Sequence, residues 1–202
     1  MPRLVLASRS EARASLLRGA AIDFEIAAAD IDERAVEAPL LQGAFSPGDI
    51  AEILAEMKAQ EVSRRHPGAL VIGADQTMSY QENGSHIACH KAKDMDEARR
   101  TLLALSGRTH TLNAALCCVR DGLTLFRHAD SAHLTMRSLS PAFIGHYLAL
   151  ADDEVLKSVG CYQLEGPGIQ LFKRIEGDYF TILGLPLLPL LEFLRDEGMI
   201  EQ

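Results

Sequence analysis

The stretch Ala69-Leu70-Val71-Ile72-Gly73-Ala74-Asp75-Gln76-Thr77 decides how the rest of the chain is read. Its continuous apolar run is short and bounded by turn residues, so it reads as a central strand buried on both faces. A carboxylate, Asp75, then follows at the carboxyl end of that strand, which is where open α/β sheets place their ligands.

On the amino side, Ile50, Ile53, Leu54 and Met57 recur at helical spacing and the segment stops at Arg65-His66-Pro67-Gly68. A helix from about 48 to 65 is expected, and Lys58 lies on it. Further back, Arg3-Leu4-Val5-Leu6-Ala7 reads as a buried strand, followed by a helix capped by Ser10 and ended by Gly19. Phe24 to Ala29 looks like a strand leading into the acidic turn Asp30-Ile31-Asp32-Glu33, and Pro39 to Pro47 reads as a loop where a lid could sit. On the carboxyl side, Asn83-Gly84 marks a hairpin turn, Asp94 caps a helix carrying Ala98, Leu102 and Leu105, and Asp121-Gly122 joins two β-rich runs, Thr109 to Val119 and Leu123 to Arg137. Ser140-Pro141 starts another helix. The tail reads as a Glu176-Gly177-Asp178 turn, a strand from Tyr179 to Leu183 and a helix from Pro186 to about Glu197. The order is mixed α/β, with no internal repeat.

With 202 residues, 48% hydrophobic and 24% charged, the chain has the composition of an ordinary globular protein. At about 150 residues per domain this suggests one domain over residues 1–202, with room for two lobes around a cleft. Twenty Lys and Arg against 28 Asp and Glu give 20 − 28 = −8, which argues against a nucleic-acid backbone binder. It leaves open a small anionic ligand held by a few convergent cations. Cys89, Cys117, Cys118 and Cys161 show no CxxC or zinc-type spacing, and a cytoplasmic location is expected. The apolar stretch Tyr179 to Leu191 is broken by Gly184, Pro186 and Pro189 and falls short of the ~20 residues of a membrane helix.

Three clusters carry chemical possibilities. Ser8-Arg9-Ser10 and Arg13, between the first strand and helix, form either a plain cap with solvated arginines or a phosphate site of hydroxyls and a guanidinium at a helix amino terminus. Asp75 with Asp32 and Glu33 forms either turn caps and a solvated corner or a carboxylate set for a divalent cation. Lys58, Lys91 and Lys93 are either solvated or positioned to close over phosphates. The histidines and cysteines read as structural, and no Walker A or Rossmann glycine pattern is present.

Taken in order, Leu6-Ala7-Ser8-x-Ser10-x-x-Arg13-x-x-Leu16-Leu17, Gly73-Ala74-Asp75, Lys91, Ser106-Gly107-Arg108-Thr109-His110, Gly160-x-Tyr162, Glu165-Gly166 and Gly184-Leu185-Pro186-Leu187 resemble the Maf family of nucleoside triphosphate pyrophosphatases almost end to end. The resemblance implies a bent mixed sheet flanked by helices, similar to inosine triphosphate pyrophosphatases, and a cytoplasmic homodimer. It implies hydrolysis of a nucleoside triphosphate to monophosphate and diphosphate, dependent on a divalent metal such as Mg²⁺, Mn²⁺ or Co²⁺. Carried over by position, Asp75 is the water-activating carboxylate, Ser8, Ser10 and Arg13 form the phosphate-facing loop, Lys58 and Lys91 are triphosphate lysines, and Glu33 joins Asp75 on the metal side.

The chain departs from the family pattern at Ser10-Glu11-Ala12-Arg13, where Ser-Pro-Arg-Arg is common, at Lys91-Ala92-Lys93 in place of Lys-Pro-Arg, and at Ser158 in place of a lysine. Gln76 and Glu165 stand where the branch acting on thymidine and uridine triphosphates has threonine and glutamine, which is more similar to the branch acting on 7-methylguanosine triphosphate. The alternatives are a dTTP and UTP pyrophosphatase, or a non-catalytic nucleotide-binding regulator of septum formation.

Overall fold

A computed structural model describes residues 3–43 and 45–201 of the chain. They form two compact units, one of residues up to 76, 113–131 and from 178 onward, the other of 77–112 and 132–177. A seven-stranded sheet runs in the order β2-β1-β3-β5-β6-β7, with β4 also on β3. The strands are β1 (Leu4–Leu6), β2 (Glu25–Ile26), β3 (Leu70–Glu82), β4 (Ser85–Cys89), β5 (Thr109–Arg120), β6 (Leu123–Met136) and β7 (Phe172–Glu176). The helices are α1 (Glu11–Gly19), α2 (Glu33–Gln42), α3 (Pro47–Arg65), α4 (Met95–Leu105), α5 (Pro141–Ala151), α6 (Tyr179–Ile182) and α7 (Leu187–Asp196). The fold class is α/β with a mixed sheet: β1 pairs in parallel with β2 and β3, while β3–β4 and β6–β7 are antiparallel.

In the first unit, alternation along the strands divides the core in two. Leu4, Leu6, Leu70 and Ile72 face α1 and α7, where Leu17, Leu190 and Leu194 are fully buried. Each such leucine contributes about 1.5–3 kcal/mol. Val5, Ala7 and Val71 face α3, which presents Ala51, Ala55, Ala59 and Val62. Because that stripe is almost all alanine, α3 approaches the sheet closely. At Gly73 a Cβ would lie 2.1 Å from the Ala55 carbonyl oxygen and 2.7 Å from the Ala59 nitrogen, so only glycine fits under the helix. The start of α3 is set by a reciprocal cap, with the Asp49 amide donating to Ser46 Oγ (3.1 Å) and the Ser46 amide to Asp49 Oδ2 (2.7 Å).

In the second unit α4 packs against α5 and the 152–157 turn. Asp94 caps α4 by accepting from the Glu97 amide at 2.8 Å. At the start of β5, His110 is fully buried, shares a 2.7 Å hydrogen bond between Nε2 and the Tyr162 hydroxyl, and packs near the Tyr162 and Phe172 rings. Its Nδ1 has no hydrogen-bond partner among the described residues, and burial pushes its pKa down to about 4.

Three sequence expectations are corrected. Residues 33–42, partly expected to be loop, form α2 with Pro39 inside it; Asp32 caps this helix through the Ala35 amide (3.1 Å), and the absence of any buried residue leaves the carbonyl that Pro39 cannot bond exposed to water. Ala44, within the same expected loop, lies outside the described residues. Tyr179 to Leu183 is not a strand: the Asp178 carboxylate accepts from the Thr181 amide at 2.9 Å and starts the single turn α6, and the aromatic, β-branched composition is overridden by that cap. Finally, β3 does not end at Ala74 but continues to Glu82, so Asp75 sits within the strand. The hairpin and helix readings at 83–84, 121–122, 94 and 140–141 match the observed elements.

Gly73→Ala is expected to destabilise the protein by about 2 kcal/mol or more, because helix backbone rather than a side-chain tip must move; urea unfolding checks this, and a wild-type midpoint would show the contact to be soft. His110 has a folded pKa below its ordinary value of 6.5, so the unfolded chain binds the extra proton and stability falls as pH drops from about 6.5 toward 4. Between pH 7 and 5 the wild type should lose about 2 kcal/mol more than His110→Gln. Parallel losses in the two proteins would show that His110 does not titrate this way.

Candidate active site

β1 pairs with β3 only as far as Leu6 opposite Ile72, with the Ala7 amide donating to the Ile72 carbonyl at 2.8 Å. At Ser8 the chain turns away into α1, while β3 runs on. The Ala74 carbonyl, where continued pairing would bring a strand amide, instead accepts from Arg13 Nη1 at 2.9 Å. The Ser8–Arg13 loop and the stretch of β3 that carries Asp75 are therefore brought side by side by the early end of one strand.

Arg13 is buried and held on three sides. Nη1 also donates to Ser8 Oγ (3.1 Å), and Nε donates to the Gly184 carbonyl (2.8 Å). Nη2 is paired with no acceptor among the described residues. Burial lowers the Arg13 pKa from its ordinary value, opposed by the negative charges of Asp75 and Glu33. Ser8 Oγ accepts from the Ser10 amide as well (3.2 Å), so its own proton remains to donate. Ser10 caps α1, its Oγ accepting from the Arg13 amide at 3.4 Å.

On the α3 side of β3, one step of alternation beyond Gly73, Asp75 meets Lys58. Lys58 Nζ lies 2.5 Å from Asp75 Oδ1 and 2.8 Å from Glu33 Oε1. Lys58 and Asp75 are both buried, whereas the Glu33 side chain is 53% exposed at the start of α2. The segment before Glu33 is tied to α3, with the Asp30 amide donating to Glu61 Oε2 (3.1 Å) and Arg65 Nη2 to the Ala28 carbonyl (3.0 Å). Arg13 and Lys58 against Glu33 and Asp75 give 2 − 2 = 0, a formally neutral cluster of four charges.

Gln76 Nε2 donates to the Thr181 and Ile182 carbonyls, both at 3.0 Å, which commits its amide donor to α6 and leaves Oε1. Ser8, Ser10, Arg13, Glu33, Lys58, Asp75 and Gln76 thus share the first unit. Lys91 and Glu165 belong to the second unit, where both are exposed, Lys91 between β4 and α4 and Glu165 in the turn after Leu164.

The structure adds residues that the sequence reading did not single out for the site. Thr181, fully buried, donates from Oγ1 to Asp130 Oδ2 (3.1 Å) and secures α6 beneath Gln76. Gly184, at φ +87°, turns its carbonyl to Arg13, and a Cβ there would meet Arg13 and Gln76 at 3.5 Å. The sequence signal for Gly184 was the Gly-Leu-Pro turn; for Gly73 it was an isolated glycine within an apolar strand.

The arrangement offers a carboxylate in a polar, largely buried setting, a rigid guanidinium and a free hydroxyl proton. It suits an anionic ligand and a proton-accepting step next to it.

A family model described as "Maf-like protein" matches residues 3–197. The chain is 57% identical over 199 residues, 98% of each chain, to a 7-methyl-GTP pyrophosphatase of Brucella abortus biovar 1 (strain 9-941). It is 50% identical over 197 residues, 98% of this chain and 95% of the other, to a nucleoside triphosphate pyrophosphatase of Rhodopseudomonas palustris (strain HaA2). Among solved structures it is similar to a nucleoside-triphosphatase / dITP/XTP pyrophosphatase from Mycobacterium abscessus, with a TM-score of 0.40 and 16% identity over 68% of this chain and 75% of that one.

Arg13→Lys retains the charge but cannot reach Ser8, Ala74 and Gly184 together. It should lower unfolding stability by about 2 kcal/mol, given that hydrogen bonds to charged groups contribute about 1.5–3 kcal/mol each. Wild-type stability in urea would show the three contacts to be dispensable.

Proposed function

The chain belongs to the Maf-like protein family, and from that premise we propose that it is a nucleoside triphosphate pyrophosphatase acting on 7-methyl-GTP. The reaction is NTP + H₂O → NMP + diphosphate, with water attacking the α-phosphorus and the diphosphate leaving. The observation that carries this reading is the convergence of Asp75, Lys58 and Glu33 with the Ser8–Arg13 loop at the end of β1. Attack at phosphorus needs an activated water and cations against the charge that spreads over the phosphate oxygens, and no nucleophilic side chain.

In this reading Asp75 accepts the proton of the attacking water. Arg13, already fixed by backbone carbonyls, meets phosphate oxygens without reorganising, and Ser8 donates its remaining proton to one of them. Ser10 holds the loop in shape as the cap of α1.

Glu33 and Asp75 would hold a divalent cation. Among the described residues no group of three or more His, Cys, Asp and Glu is placed to hold a metal, so a closed zinc-type site does not fit. Two carboxylates completed by substrate phosphates and water fit a Mg²⁺-type ion, to which Mn²⁺ and Co²⁺ are close in chemistry. Such an ion supplies charge neutralisation on the leaving diphosphate.

For the base, a carboxylate at 165 is acceptor-only and suits the N1 and N2 donors of guanine, and methylation at N7 adds a positive charge that a carboxylate favours. The names of the relatives at 52–58% identity support the same choice. A homodimer is part of the proposal, resting on family membership.

Purified protein assayed with Mg²⁺ or Mn²⁺ on a panel of nucleoside triphosphates should release diphosphate, fastest from 7-methyl-GTP; orthophosphate as the direct product, or no turnover, would contradict this reading. Asp75→Asn should lower kcat by at least ~10² while leaving the fold intact by circular dichroism. Glu165→Gln should reduce the preference over dTTP and UTP; an unchanged ranking would remove Glu165 from base reading without touching the reaction.

A further inference from the structure

The Lys58 ammonium stands between the two carboxylates assigned to a metal ion. Its Nζ is within 2.5 Å of Asp75 and 2.8 Å of Glu33, so it occupies the positive position that a divalent cation would take between them. Lys58 sits on a helix that lies on Gly73 with no space to shift inward and that is capped by Ser46 and Asp49. Its reach is confined to the flexible stem of a buried side chain.

We propose that Lys58 is the resident counter-ion of Glu33 and Asp75, so that the free protein binds a divalent cation weakly and takes it up together with a triphosphate. This rests on the pyrophosphatase reading above.

Two physical arguments carry it. The first is charge: with Arg13 and Lys58 balancing Glu33 and Asp75, a bare dication would leave the cluster two charges positive in a largely buried setting, which is costly. A triphosphate bound with the cation reverses that sign. The second is donor count: an ammonium has three N–H groups, of which one is hydrogen-bonded to Asp75 while Glu33 is held as an ion pair at 2.8 Å, so donor capacity remains for a phosphate oxygen. As phosphate arrives, Lys58 exchanges carboxylate for phosphate and the carboxylates are released to the ion. Glu33 is the partner able to yield, since it is half exposed at the first turn of a helix with no buried residue. The coupling is reciprocal, so cation and triphosphate raise each other's affinity by the same factor.

The test follows protein-bound Mn²⁺ by water-proton relaxation enhancement on the full chain, alone and with the non-hydrolysable α,β-methylene analogue of 7-methyl-GTP. Binding should be at least about tenfold tighter with the analogue than without it, and Lys58→Met without analogue should bind Mn²⁺ at least about tenfold tighter than wild type without analogue. Wild type that binds Mn²⁺ equally well with and without a bound analogue overturns the proposal, as does a folded Lys58→Met that gains no affinity. If Lys58→Met does not fold, the two wild-type titrations decide. If the analogue does not bind at all, with or without Mn²⁺, the pyrophosphatase reading fails, and the comparison of Lys58→Met with wild type in the absence of nucleotide still decides the role of Lys58.

Discussion

The close contact between α3 and β3 at Gly73 is the constraint on which the site depends. An alanine stripe and a strand glycine bring two backbones together at a point where any Cβ would collide with the helix. One alternation further along β3 is Asp75, and the lysine that reaches it, Lys58, sits between Ala55 and Val62 on the same helix. A buried pair of this kind is weak evidence for stability, since desolvation offsets most of the attraction, but removing one partner alone leaves a charge stranded. The pair therefore reads as a device for holding a carboxylate in place.

The second clamp comes from the far end of the chain. Gly184 and the α6 turn supply carbonyls to Arg13 and Gln76, so a guanidinium introduced near residue 10 is completed by backbone some 171 positions later. Thr181 and Asp130 fix that turn from beneath. Backbone acceptors impose direction without adding negative charge. Arg13 thus keeps its charge while losing its freedom, which is what electrostatic stabilisation of a phosphate requires.

Much of this was legible in the sequence where local physics decides. The run from Ala69 to Ala74, the Ser10, Asp94 and Ser140 caps and the Asn83-Gly84 and Asp121-Gly122 turns each state a preference that tertiary contacts do not oppose. Asp178 was read as part of a turn, yet its capping of the Thr181 amide turns a strand-like tetrapeptide into helix; four residues are too few for periodicity to speak. The 39–47 segment reads as loop, and α2 runs through Pro39 on a helix that has no buried residue. For the site, residue types and order pointed to Asp75, Arg13 and Lys58, but spacing along the chain says nothing of distance in space. That Lys58 is engaged by two carboxylates, and that the donors of Gln76 are spent on α6, follow only from three-dimensional packing.

The most direct test of the central claim is a double-mutant cycle on unfolding free energy with Lys58→Met, Asp75→Asn and the double variant. If α3 is held where its lysine and the strand carboxylate depend on each other, the two changes are strongly non-additive. The double variant should then be more stable than the sum of the single losses allows by about 1–3 kcal/mol. Additive losses would mean that Lys58 and Asp75 are neighbours without being partners, and would contradict the account.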